Sequence, residues 1–321
     1  MTNSLEAWAE AVREADDLTL FSHVNPDGDT VGSVLALRLA LLSLGKKVQI
    51  VCDGKIPEKF SFLSGAEAYL RPEECTAPMA AIAVDVSSPD MLGACRALFE
   101  GASRRLVIDH HATNPLFGDI HYVRGGESSC SLLIYEAIAA LKVPMSREMG
   151  TCLMLGMSTD TGHFQYASTS AETLRAAGEL VDLGVNISDI SRRMYRSQPM
   201  SRMRLTQAAL SRLHYEAQDQ IGIIALEKSV FEACGCTTAD ADGLANMALE
   251  VQGVRMAFLI TERDDCVKVS MRAMEPYTVN DIAQALGGGG HAQAAGVSLH
   301  MTLAEAERLI LQKARAKLED Q

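Results

Sequence analysis

Residues 18–30, LTLFSHVNPDGDT, and the stretch that follows them, VGSVLALRLALLSLG (31–45), decide the fold. A short apolar run ends in a polar turn built on Pro26 and Gly28 and then passes into a long helical stretch. The same alternation recurs in KVQIVC (47–52), AAIAVDV (80–86) and RRLVIDH (104–110). Short, continuously apolar strands separated by helices predict a parallel sheet covered by helices on both faces. Ligands of such sheets bind outside the carboxyl ends of the strands. His23, Asp85 and Asp109 each stand at the end of one of these runs, so three strands deliver polar residues to one edge.

A length of 321 residues predicts two domains, since a domain takes roughly 100–200 residues. Beyond residue 215 the strand-like runs are IGIIALE (221–227), VRMAFLIT (254–261) and CVKVSMRA (266–273), with helices expected over 238–251, 278–286 and 302–319. They predict a smaller mixed-sheet α/β domain over 216–321. Between the two patterns, SRRMYRSQPMSRMRLTQAALSRLHY (191–215) carries six arginines and no acid. It reads as a helical linker, which leaves 1–190 as the first domain. The arginines fit a solvated helix face, with attraction of phosphate as the alternative use.

Lys and Arg number 29 and Asp and Glu 41, a net charge of −12. That balance excludes non-specific binding to duplex DNA or to an anionic membrane, both of which need excess cationic side chains. An aromatic share of 5% offers no base-stacking platform of repeated rings. The eight cysteines include one C-x-C and no C-x-x-C, so neither a zinc knuckle nor a thioredoxin motif is present. Residues 1–17 lack an apolar signal core, and no window approaches the ~18 apolar residues of a membrane span. The expectation is a cytoplasmic protein with reduced thiols.

The segment His23 to Asp29 holds an imidazole and two carboxylates within seven residues. Capping of the following helix by Asp27 or Asp29 is the plain structural use. A calcium loop does not fit, because Pro26 lies inside it, Thr30 takes the glycine position and Ala36 stands where a bidentate Glu is needed. A D-x-D-x-T phosphatase nucleophile would need Thr where Val31 stands. Asp109, His110 and His111 follow a strand, Asp85 ends another, and Asp160 follows the apolar stretch TCLMLGM (151–157). Each alone is weak evidence. Together they form a mixed imidazole and carboxylate set without thiolate, an oxygen-rich balance that suits Mn²⁺ or Mg²⁺. Two ions ~3.5–4 Å apart on a shared carboxylate would activate water for attack on phosphorus.

A run of four glycines at 287–290 reads either as a flexible turn or as backbone whose amides cradle a phosphate at the start of a following helix. His291 and Arg272 would add cationic side chains there.

The spacing HVNPDGDTVGS (23–33), the lone Asp85, Asp109-His110-His111, Asp160-Thr161-Gly162 and GGGGHAQAAG (287–296) resemble the DHH phosphoesterase superfamily with its DHH-associated C-terminal domain. Five motifs in order, over nearly the whole chain, make the likeness specific. The short two-domain format is similar to the nanoRNase and pAp-phosphatase subfamily. The resemblance implies one cation on His23, Asp27 and Asp85 and a second on Asp29, Asp85, His110 and Asp160. It implies that Asp109 orients a neighbouring ligand, that His111 faces the scissile phosphate, and that water between the cations is the nucleophile. Arg272, Gly288, Gly289, Gly290 and His291 would hold the non-scissile end of the substrate, and Asn246 matches another family position.

The implied cofactors are two divalent cations, Mn²⁺ first and Mg²⁺ second. The implied substrates are short single-stranded RNA and 3′-phosphoadenosine 5′-phosphate (pAp), with a homodimer compatible with the fold. A cyclic-di-AMP or linear dinucleotide phosphodiesterase would share every metal ligand. A non-catalytic nucleotide-binding regulator would not need so complete a set.

Overall fold

The computed structural model describes residues 2–241 and 243–319. The chain divides into two compact units, Met1–Ser197 and Gln198–Gln321.

Unit 1 is built on seven strands: β1 (Thr2–Asn3), β2 (Asp17–Phe21), β3 (Lys47–Val51), β4 (Tyr69–Leu70), β5 (Ala80–Val84), β6 (Arg104–Asp109) and β7 (Ile120–Val123). They form one sheet in the order β1-β7-β6-β5-β2-β3-β4, and every pairing is parallel. The helices are α1 (Leu5–Glu14), α2 (Gly28–Ser43), α3 (Arg96–Glu100), α4 (Cys130–Ala140), α5 (Arg147–Asp160), α6 (Ala171–Asp182) and α7 (Ile187–Tyr195). On one face Leu18, Leu20, Ile82 and Ile108 pack beneath α1, α2, α4 and α5, with Trp8, Leu35 and Leu133 wholly buried. On the other face Phe21, Ala83 and Val107 meet Leu92 and Phe99 of the α3 region. Both faces of the central strands are therefore covered, which is why β5 is buried along its whole length.

After β2 the chain crosses to β3 on one side, and β5 then pairs with β2 on the other. The sheet order thus reverses between β2 and β5, and a crevice opens at such a reversal outside the carboxyl ends of the strands. The turn after β2 and Asp85 after β5 both lie there. The N-terminal part of α2 packs against the C-terminal part of α5 through glycines: a Cβ on Gly32 would lie 2.3 Å from the Cys152 carbonyl oxygen, and one on Gly28 would lie 2.5 Å from the Thr159 side chain.

Unit 2 carries β8 (His214–Glu216), β9 (Ile221–Leu226), β10 (Met256–Glu262), β11 (Val267–Ala273), β12 (Gly289–His291) and β13 (Ala294–Leu299). The sheet order is β12-β13-β11-β10-β9-β8; β9 and β10 are parallel and the other pairs antiparallel. Its helices are α8 (Met200–Leu210), α9 (Lys228–Cys234), α10 (Leu244–Leu249), α11 (Asn280–Ala285) and α12 (Leu303–Glu319). The arginine-rich stretch 191–215 thus spans the end of α7, the passage between the units and all of α8.

Two sequence expectations change. The helix expected over 238–251 is a 3₁₀ turn, Thr238–Ala241, followed by the short α10, because Gly243 takes a left-handed φ of 80° between them. The glycine run does not precede a helix. Gly287, at φ 85°, ends α11, and Gly289 and Gly290 enter the edge strand β12. The physical reason is close antiparallel approach. A Cβ on Gly288 would lie 2.2 Å from the Gly296 carbonyl oxygen, and one on Gly290 would lie 2.5 Å from that of Ala294.

Candidate metal centre

The turn between β2 and α2 begins the site. Asp27 is the N-cap of α2 and accepts the backbone N–H groups of Asp29 and Thr30 through one oxygen, Oδ1, at 3.0 Å each. The plain capping use of Asp27 is therefore real, and it leaves the second oxygen free of the cap. His23, buried, turns Nε2 to within 4.0 Å of Asp85 Oδ2. Burial holds the His23 imidazole below its usual pKa, which favours the neutral form that a metal requires.

Asp85 follows β5 in a left-handed conformation with φ 59°, which costs a non-glycine residue about 1–3 kcal/mol. The strained backbone points the carboxylate inward. Thr30 Oγ1 donates to its Oδ2 at 2.6 Å, while Oδ1 is buried with no hydrogen-bond partner among the described residues. His110 Nε2 is 3.5 Å from that orphaned oxygen and His111 Nδ1 is 3.8 Å from it.

His110 and His111 leave the end of β6 in different settings. His110 Nδ1 lies 2.9 Å from the Glu127 carbonyl oxygen; donating there fixes the tautomer and frees Nε2 as an acceptor. Nε2 faces Asp160 Oδ2 at 3.3 Å and Asp29 Oδ2 at 3.9 Å as well as Asp85. His111 instead donates Nδ1–H to Asp109 Oδ1 at 2.7 Å, and this bond raises its pKa. Asp109 is wholly buried, and its other oxygen accepts Asn114 Nδ2 at 2.6 Å.

Asp29, in the first turn of α2, is also wholly buried. It accepts the N–H of Cys130 at 2.6 Å and of Ser131 at 2.9 Å, the first two residues of α4. Helix N-termini stabilise a carboxylate through these unpaired donors. Asp160 closes the set from the last residue of α5. Burial, with neighbouring carboxylates, pushes Asp85 and Asp160 well above the usual carboxylate pKa; for Asp29 burial is again the largest cause of a raised value.

Three groups of potential ligand atoms lie together: His23, Asp27 and Asp85; Asp29, His110 and Asp160; and Asp85, His110 and His111, with the atoms of each group within 4.8 Å of one another. With metal–oxygen bonds of ~2.1 Å, neighbouring ligand atoms in an octahedron sit roughly 3.0 Å apart and opposite ones roughly 4.2 Å. The 3.3–3.9 Å around His110 Nε2 fall within that range. The orphaned Asp85 oxygen and this spacing fit divalent cations.

All six residues expected to hold metal, with Asp109 and His111, are thus brought to one rim of the unit 1 sheet. In unit 2 the register aligns His291, Ala294 and Arg272 in one cross-strand row. Arg272 Nε donates to Asn246 Oδ1 at 3.0 Å, and the side chain of His291 lies outside the described part of the structure. Sequence reading passed over Asn114, Thr30, the Glu127 carbonyl and the start of α4. Thr30 lay inside a quoted motif and Asn114 stands five residues after the Asp109 it holds, outside any quoted motif; the Glu127 carbonyl and the start of α4 carry no local signal, because their partners His110 and Asp29 stand 17 and 101 residues away.

The "DHH family, N-terminal domain" model matches residues 17–157 and the "DHHA1 domain" model matches residues 227–320. A bifunctional oligoribonuclease and PAP phosphatase, NrnA, from Thermus thermophilus is 33% identical over 92% of this chain and 89% of its own length. The crystal structure of an exopolyphosphatase-related protein from Bacteroides fragilis superposes with a TM-score of 0.91 at 26% identity, covering 96% of this chain and 94% of that one. RecJ from Thermus thermophilus, in complex with Mn²⁺, shares the fold with a TM-score of 0.58 at 16% identity over 97% of this chain and 55% of that one. With its own metal-compatible cluster and matches along nearly its whole length, the chain belongs to the DHH family and joins a DHH domain to a DHHA1 domain.

Proposed function

We propose that the chain is a phosphoesterase that hydrolyses short single-stranded oligoribonucleotides and pAp with two divalent cations. The observation that carries the reading is the buried Asp85 Oδ1, without a hydrogen-bond partner among the described residues and ringed by His110 and His111. An unpaired buried carboxylate oxygen is costly unless a cation meets it. The family likeness to the NrnA phosphatase supports the substrate class.

When bound, the two cations lower the pKa of a water and neutralise the phosphoryl oxygens. His23, Asp27 and Asp85 would hold one, and Asp29, Asp85, His110 and Asp160 the other, with Asp85 shared. The oxygen-rich set favours Mn²⁺ over softer ions. His111 stands beside this set with Nδ1 bound to Asp109, so its Nε2 is the nitrogen that can donate to a phosphate oxygen or to the leaving group. Asp109 keeps that tautomer and favours the protonated ring, and Asn114 keeps Asp109 in place. Arg272, the backbone of Gly288, Gly289 and Gly290, and His291 would hold the non-scissile end. A reducing cytoplasm suits the eight free thiols.

Incubation of the purified chain with Mn²⁺ and pAp, with RNA of two to five nucleotides, and with cyclic di-AMP tests the proposal. Release of AMP and phosphate from pAp and of mononucleotides from short RNA is expected. Turnover of cyclic di-AMP alone would transfer the assignment to a dinucleotide phosphodiesterase, and no turnover of any of the three would overturn it.

A further inference from the structure

Arg124 follows the last residue of β7, and three carboxylates converge on it. Its Nη1 donates to the two oxygens of Glu136, in α4, at 3.0 and 2.9 Å. Its Nη2 donates to Glu127 and lies 3.9 Å from Glu172 of α6. Tyr122 adds its hydroxyl as a second donor to Glu136. Among the described residues no other cationic side chain pairs with any of the three acids, so one guanidinium holds together groups that would otherwise repel.

Glu127 connects this cluster to the metal-compatible site. Its backbone carbonyl lies 2.9 Å from His110 Nδ1, while its side chain is held by Arg124. The backbone leading to it is permissive: Gly125 and Gly126 precede Glu127, and Gly126 takes a left-handed φ of 93°. The N–H groups of Arg124 and Gly126 bond the carbonyls of Asp109 and His110 at 3.1 Å each. Those bonds fix where the turn lies but not which way the Glu127 carbonyl faces. The planar arginine fork can grip Glu127 and Glu136 at once. Glu136 belongs to the helix whose first two N–H groups hold Asp29, so Asp29 and His110 are both located from α4.

We propose that Arg124 is a positioning residue for His110. Gripping Glu127 against Glu136, it keeps the Glu127 carbonyl on Nδ1 and so presents the other nitrogen, Nε2, to Asp29, Asp85 and Asp160. The inference rests on the reading that this cluster holds cations, and it adds what aims one of the ligands. Charge and positioning predict opposite signs for Arg124→Gln. Loss of a nearby positive charge by itself tightens binding of a cation, whereas loss of the partner that orients a ligating histidine weakens it.

The test is titration of the full chain with Mn²⁺, read by electron paramagnetic resonance at a temperature where melting shows each variant folded. Arg124→Gln and Glu127→Ala are each expected to weaken Mn²⁺ binding about tenfold or more. The double variant should lose no more than either single one, because both changes break one linkage. NMR of the histidine ring nitrogens in EDTA, at mildly alkaline pH where imidazoles are neutral, gives a readout that general destabilisation does not move. With the signal assigned by His110→Gln, the parent should carry its proton on Nδ1 and both variants a mixture of tautomers. Should Arg124→Gln fail to fold, Glu127→Ala, which leaves the Arg124–Glu136 pair in place, reads the same point. His110 in the parent tautomer in both variants overturns the proposal, as do unchanged or tighter Mn²⁺ binding, additive losses in the double variant, or a parent without a proton on Nδ1. A parent chain that takes up no Mn²⁺ overturns the metal reading instead, and the His110 tautomer in EDTA then decides the role of Arg124 alone.

Discussion

Asp29 Oδ2 accepts the backbone N–H of Cys130 at 2.6 Å, so a carboxylate of the metal-compatible cluster also holds the start of a helix 101 residues away. Asp29→Ala is therefore expected to act twice. It removes a proposed ligand and leaves two buried amides, those of Cys130 and Ser131, without their acceptor, at a cost of about 1–3 kcal/mol. Thermal melting in EDTA checks the second effect apart from metal. Melting unchanged from the parent would show that the helix start does not depend on Asp29.

Asp85→Asn is expected to do the opposite to stability. Burial, followed by the charges of Asp29, Asp27 and Asp160, raises the Asp85 carboxyl well above its usual 3.8. A carboxyl whose folded-state pKa is raised favours folding in its protonated form. That contribution is complete below pH 3.8 and is lost as pH rises through the raised value, because the folded state binds the extra proton. The metal-free parent should thus lose this contribution towards neutral pH, and the neutral, isosteric Asn should retain it. Expected at pH 7 without metal is a higher melting temperature for Asp85→Asn, with roughly 2–4 °C for each kcal/mol recovered. Mn²⁺ should stabilise the parent and not the variant, and activity should be lost. A variant that melts lower than the parent without metal would contradict the assignment of Asp85 as a strained, cation-seeking acid.

His111 is expected to set the alkaline limb of the rate profile. The hydrogen bond that His111 Nδ1–H donates to Asp109 raises its pKa, so the protonated donor persists to higher pH and is lost as pH passes that value. Asp109→Asn removes the cause and should move the alkaline limb to lower pH while bound metal, measured by elemental analysis, stays near the parent level. His111→Gln should lower kcat by about 100-fold or more with metal content retained. An unchanged kcat would remove His111 from the chemistry.

Gly156→Ala places a methyl group 1.9 Å from Ser131 Oγ and 2.6 Å from Asp29 Oδ1. Overpacking of this kind costs about 1–3 kcal/mol, and here it falls on the Asp29 carboxylate. A lower melting temperature and weaker Mn²⁺ binding are expected together. Gly178→Ala, inside α6 with open space around its Cβ, should be neutral or stabilise by up to about 1 kcal/mol. A Gly156→Ala variant that melts at or above the parent, as Gly178→Ala is expected to, would mean that helix propensity outweighs the packing of α2 on α5.

The long strands of unit 1, and the polar residues that end them, could be read from residue order because each depends on neighbours within a few positions. Strands of five or six residues, β2, β5 and β6, carry the apolar stretches LTLF, AAIAV and LVI, and the turn residues after them fall where the backbone must change direction. Asp27 shows the limit of such reading: capping and metal use compete on the page, whereas in three dimensions one oxygen caps and the other is left over. The glycine run shows a second limit. Four glycines in a row fit a loop, but the need for them comes from Gly296 and Ala294 approaching across a strand pair.

Residue order alone sufficed for fold class, the parallel character of the first sheet and the identity of the ligand-type side chains, since these follow from local periodicity and from chemistry. Folding was needed to settle which strands adjoin, that one Asp85 oxygen has no hydrogen-bond partner among the described residues and faces His110, and that α4 meets Asp29. Those facts join residues that are far apart along the chain. Their geometry is a property of packed helices and sheet register, which no short window of residues contains.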